Sequence, residues 1–175
     1  MTAEPAEGPA SAVQRHAFES LFQAEYPRVV AIAARILGDV GEAEDVAQEV
    51  FLQLHRRRDA QAAFARPWLH AAAAHTALNV LRTRRRRRGR EQRWAREPGA
   101  VDDPGERVVA AETSRRVRAA LSHLRRRQAE ILALRHAGLS YAEVADALGV
   151  RVSHVGTLLR RAEAALRKEI GDAPL

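Results

Sequence analysis

Apolar side chains return at three- and four-residue steps through most of this chain, the period of a helix that buries one face. Ala17 to Leu37 is the first such stretch, with Phe18, Leu21, Phe22, Val29, Ile32, Ala33 and Ile36 along one side. Gly38 supplies a stop, and Asp39 to Gly41 make a tight connection. A second helix is expected over Glu42 to Arg57, where Ala43, Val46, Ala47, Val50, Phe51 and Leu54 form one stripe. Acids at its start suit the positive end of the helix dipole. Residues 58 to 66 have no period. Pro67 then opens a third helix, to about Arg88, because its fixed φ suits a first turn. Its expected buried side is Trp68, Leu69, Ala72, Ala73, Thr76, Val80 and Leu81.

Between residues 97 and 106 the chain reads EPGAVDDPGE, two Pro-Gly pairs among four acids, which is linker chemistry. The expected organisation is therefore a disordered tail over 1–14, a three-helix domain over 15–92, a linker over 93–107 and a second domain over 108–171. Ala and Leu dominate and strand signals are missing, so the fold class is all-α, two small helical domains joined by a flexible linker. Units of this size are large enough to fold.

The second domain carries the most specific local pattern, residues 138 to 168. Ser140 can cap a helix there, and Glu143, three residues on, can complete a capping box. Val144, Ala145 and Leu148 face inward, and Gly149 ends the helix where positive φ is needed. Val150, Val152 and Val155 pack the turn, and Leu159, Ala162 and Leu166 continue the stripe on a second helix. This is the spacing of a helix-turn-helix, whose second helix enters the DNA major groove while basic side chains hold phosphates. Arg151, Ser153, His154 and Thr157 are the exposed candidates, with Arg160 and Arg161 beside them. A helical hairpin that merely packs is the alternative for this segment taken alone.

Charge sharpens the reading by its location. The chain has 29 basic and 22 acidic residues, a net charge of +7. Residues 82 to 93 hold eight Arg and one Glu, so the entire excess lies there. A solvated helix face, a polyanion patch and a phosphate-binding strip all fit such a run. Cysteine is absent, which excludes disulfides, thiol chemistry and Cys-ligated zinc. No stretch approaches the roughly 18 apolar residues of a membrane span, and the first residues lack a signal-peptide pattern. A cytoplasmic protein without membrane insertion is expected. No phosphate-cradling Gly loop, paired catalytic carboxylates or nucleophile-base set is evident, so neither enzymatic activity nor a cofactor or metal is expected.

LSYAEVAD followed by LGVRVSHVGTLLRRAEAALRK is similar to the promoter-reading C-terminal domain of extracytoplasmic-function sigma factors of bacterial RNA polymerase. AEDVAQEVFLQLH, residues 43–55, resembles their polymerase-binding helix. PWLHAAAAHTALNVLR, residues 67–82, resembles the segment that recognises and melts the −10 element. The resemblance implies a sigma factor that binds core RNA polymerase, through its β′ coiled coil and β flap, and directs initiation on promoter DNA. It implicates Asp45, Gln48, Glu49 and Leu52 in polymerase binding. For −10 DNA it implicates Phe64, Trp68, His75, Asn79, Arg82, Arg84 and Arg85, and for −35 DNA Arg151, Ser153, His154, Thr157, Arg160 and Arg161. An anti-sigma factor is expected as a further partner.

Phe64, in the loop over 59–66, could receive a flipped base or anchor the core, and Trp68 could stack or pack. His75 and Asn79 stand where family members commonly carry Asn and Asp, and Gly156 and Leu158 where they commonly carry Lys and Arg. Promoter preference therefore does not transfer. A stand-alone helix-turn-helix regulator is the alternative, and it would bind specific DNA tightly without polymerase.

Overall fold

The computed structural model describes residues 9–57, 63–94 and 106–171, with side chains from 13, through 90, and again from 111. Seven helices and no strands occur among them: α1 (Pro9–Leu37), α2 (Val40–Arg57), α3 (Ala65–Trp94), α4 (Glu106–His123), α5 (Arg126–His136), α6 (Tyr141–Leu148) and α7 (Val152–Gly171). The all-α expectation holds. α1 begins at Pro9 and not at Ala17, so the last part of the expected tail is helical. The remainder of that tail, residues 58–62 of the aperiodic loop and 95–105 of the expected linker lie outside the described residues.

α1, α2 and α3 form the first packed unit. The stripe read on α2 is the buried one, Ala43, Val46, Ala47, Val50, Phe51 and Leu54. Phe51 meets Phe22 edge-on with ring centroids 4.8 Å apart, and Phe18 and Tyr26 complete an aromatic cluster against α1. Such edge-to-face contacts add a little beyond the buried area itself. Gly38 ends α1 with φ 72°, its N–H donating to Ala34 O at 2.8 Å, and Asp39 Oδ1 accepts from Glu42 N to start α2.

α3 departs from its expected face. The fully buried positions are Leu69, His70, Ala73, Ala74, Ala77 and Leu78. Trp68, Ala72, Thr76 and Val80, expected inside, are only half-buried. The stripe is rotated by about one residue because α3 has two packed sides. One side covers α1 and α2, and the other meets α4, α5 and α6 of the second unit. Buried residues of both units accordingly form a single cluster.

The second unit is built as its pattern implies. Ser140 Oγ accepts from Glu143 N at 3.2 Å, and Glu143 Oε2 accepts from Ser140 N at 2.7 Å, a complete capping box. Gly149 closes α6 in the left-handed region at φ 61°. Val144, Ala145, Leu148, Val155 and Ala162 are buried. Val152, expected to pack the turn, is 50% exposed instead.

Candidate polymerase and nucleic-acid interfaces

Three surfaces gather the residues singled out in the sequence. On α2, Asp45, Gln48, Glu49 and Leu52 are all exposed, and their three- and four-residue spacing places them on one side. Leu52 is 55% exposed although its neighbours Phe51 and Leu54 are buried. A stripe of acids and amides around one uncovered leucine has the composition of a small transient protein interface, polar at its rim and apolar at its centre.

The second surface runs along α3 and faces the second unit. Trp68 is half-buried beneath Arg57, whose guanidinium carbon lies 5.2 Å from the ring centroid. Trp68 also lines a cleft of about 240 Å³ with Gln53, His75, Arg127 and Leu148. Asn79 Nδ2 lies 3.0 Å from His75 Nε2. That amide nitrogen can only donate, so Nε2 accepts, and the proton of a neutral ring sits on Nδ1. Nδ1 is buried and makes no hydrogen bond, although it lies 3.4 Å from Glu130 of α5, a carboxylate that accepts from Arg126 Nε at 2.7 Å. Arg82 and Arg85 donate to the carbonyls of Leu124 and Ser122, both at 3.2 Å. Arg84 is paired with Glu42. Phe64 stands apart from this group, 47% exposed in the turn before α3.

The third surface is the start of α7. Arg151, Ser153, His154, Thr157, Arg160 and Arg161 are all exposed. Among the described residues no hydrogen bond or ion pair joins any of them to the first unit, and Arg160 reaches only Thr157, at 3.5 Å. Gly156 sits beneath Tyr141, where an added Cβ would meet that ring at 3.7 Å, an ordinary contact. The structure thus leaves α7 open while it engages much of the α3 face with the second unit.

A cluster without any sequence signature lies between these surfaces. His70 Nε2 and Glu25 Oε2 are 2.8 Å apart, Arg66 Nε is 2.7 Å from Glu25 Oε1, and both His70 and Glu25 are buried. Burial pushes the His70 imidazole below its usual pKa, outweighing the Glu25 hydrogen bond and charge that act in the opposite sense. Arg28 of α1 meets Glu143 of the capping box at 2.8 Å. The backbone and hydroxyl of Ser140 hold the Glu143 carboxyl below the ordinary carboxylate range, helped by Arg28. Partners 45 residues apart, as His70 and Glu25 are, leave no local signal in a sequence. Among the described residues no group of three or more His, Cys, Asp or Glu could hold a metal ion, and no helix is long and apolar enough to cross a membrane.

Two packed helical units, the second with a capped helix-turn-helix and an exposed basic helix, have the architecture of an all-helical DNA-binding protein. Residues 21–87 match the family Sigma-70 region 2, and residues 114–166 match Sigma-70, region 4. The chain is 31% identical over 165 residues to the ECF RNA polymerase sigma factor SigK of Mycolicibacterium vanbaalenii, covering 90% of this chain and 83% of that protein. Two solved structures share the fold. CnrH, in complex with the cytosolic domain of CnrY, matches with TM-score 0.53 and 24% identity over 91% of each chain. The sigma factor RpoE of Bartonella quintana, in complex with the anti-sigma factor NepR, matches with TM-score 0.50 and 20% identity over 90% of this chain and 98% of that one. The chain belongs to the extracytoplasmic-function sigma factors of bacterial RNA polymerase.

Proposed function

We propose that the protein acts in the cytoplasm without catalytic turnover, as the promoter-selecting subunit of RNA polymerase, through three separate surfaces. The α2 stripe of Asp45, Gln48, Glu49 and Leu52 docks on the polymerase β′ coiled coil. Phe64, in the turn before α3, and the α3 face from Trp68 to Arg85 handle the −10 element, and the start of α7 reads the −35 element while the β flap positions its domain. The observation that carries this reading is Leu52, a large apolar side chain left exposed on an otherwise polar stripe of a well-packed helix. Residues 15–92 and 108–171 serve as the two working domains.

Polymerase sets the spacing of these domains, so weak contacts at the two elements reinforce each other through effective concentration. Because His75, Arg82 and Arg85 are engaged by the second unit, productive use of the α3 face requires the units to separate. An anti-sigma protein is the natural antagonist, as the complexed state of the similar structures supports.

In-vitro transcription with core polymerase tests the reading. Wild type is expected to give promoter-specific initiation, and Asp45→Ala/Gln48→Ala to reduce it with the fold intact. Deletion of residues 138–175 should abolish it at promoters that depend on −35 contact. Tight specific DNA binding by the protein alone, with no effect of polymerase, would support the stand-alone regulator instead.

A further inference from the structure

Part of the arginine run of α3 faces a second set of arginines across a cleft. Arg84, Arg85 and Arg88 line one wall of a cleft of about 590 Å³, and Arg115 and Arg118 of α4 line the other. Leu37, Leu81 and Ala119 belong to the same lining, which contains no carboxylate. Among the described residues two of the five guanidiniums have carboxylate partners, Arg84 with Glu42 and Arg115 with Glu112 at 3.2 Å. Five against two leaves a local excess of three positive charges among the described residues. Arg85 spends one donor on Ser122 O, and Arg88 makes no hydrogen bond or ion pair among the described residues. Arg118 crosses Gly38 so closely that a Cβ there would lie 2.5 Å from its Nη1.

Bringing two cationic walls together is unfavourable unless something anionic sits between them. Guanidinium forks match phosphate oxygens two at a time, and their charge is permanent. A cleft of this size between two helices is too narrow for a DNA duplex, and it holds several charges in a small volume, more than one carboxylate side chain supplies. From this geometry we infer that the α3–α4 cleft binds an oligophosphate, either an inorganic chain or the phosphates of a nucleotide. Such a ligand bridges the first unit to the second and holds them together. The consequence for promoter binding rests on the function proposed above, whereas the site itself does not.

Isothermal titration of the full chain, without polymerase or DNA, tests the site directly. Inorganic tripolyphosphate and ATP are titrated separately at one fixed salt concentration. Saturable binding at one site per chain is expected, and Arg115→Ala/Arg118→Ala should weaken it about ten-fold or more through lost charge-assisted hydrogen bonds. Arg56→Ala/Lys168→Ala removes the same charge at exposed positions outside the cleft and should leave affinity unchanged. Arg88→Ala, at an exposed position with no partner among the described residues, gives a second test that does not disturb α4 and should also weaken binding. Equal affinity for the two ligands assigns recognition to the phosphates alone, and tighter ATP binding assigns the nucleotide; both support the site. Failure to saturate with either ligand, or equal weakening by the two double variants, overturns it.

Discussion

The docking of the two units can be measured through Glu143, which works in two structures at once. One carboxylate oxygen closes the capping box on Ser140 N, and the other meets Arg28 of α1 at 2.8 Å. Ser140→Ala removes only the cap and should cost about 1 kcal/mol. Arg28→Ala removes only the bridge. The two bridging side chains are 37% and 34% exposed, so solvent screens the pair and about 0.5 kcal/mol is expected. Glu143→Ala loses the bridge and the bond from Ser140 N, keeps the bond from the backbone N–H of residue 143 to Ser140 Oγ, and should cost about 1 kcal/mol. Urea denaturation of wild type, the two single variants Arg28→Ala and Glu143→Ala, and their double variant then isolates a coupling of about 0.5 kcal/mol. The coupling should also fade in acid. Because the folded carboxyl is held below its ordinary value of 4.5, its contribution is complete above that value and is lost as pH falls through the folded one. A coupling of zero, beside a normal Ser140→Ala effect, would mean that Arg28 and Glu143 do not pair across the two units in solution.

Three further outcomes follow from single residues. Burial keeps the His70 imidazole below its ordinary value of 6.5, so the unfolded chain takes up the proton first. Stability is therefore complete above 6.5 and declines below it, by at most about 1.4 kcal/mol per pH unit. Urea midpoints at pH 7.5 and about 5.5 should differ more in wild type than in His70→Gln; an equal difference refutes the assignment. Gly156→Ala should raise the melting temperature, because the new methyl meets Tyr141 at 3.7 Å without a clash and α7 gains up to about 1 kcal/mol of helix propensity; a lower melting temperature counts against the described packing. Gly38→Ala should cost about 1–2 kcal/mol from its positive φ, plus a steric share from Arg118 that Arg118→Ala relieves. An equal loss in both backgrounds would show that Arg118 does not cross Gly38.

Helix order, the α2 stripe and the helix-turn-helix were legible from sequence because each depends on neighbours only three or four residues apart. The capping box of Ser140 and Glu143 and the left-handed Gly149 are set within one turn of chain. The exposed stripe of α2 follows by exclusion once its buried stripe is known. α3 was harder to read. Its run of alanines gives no single apolar face, so either of two rotations buries small side chains equally well locally.

Composition and periodicity by themselves settled an all-helical, cysteine-free chain with its whole charge excess on one helix. Only the tertiary structure decided which way α3 turns, and that the second unit covers its other side. His70 with Glu25, Arg28 with Glu143 and the five-arginine cleft likewise exist only after distant helices pack. The physical reason is the range of the forces concerned. Hydrogen bonds within a turn select local structure from adjacent residues, whereas burial and ion pairing depend on whichever surface the rest of the chain brings alongside.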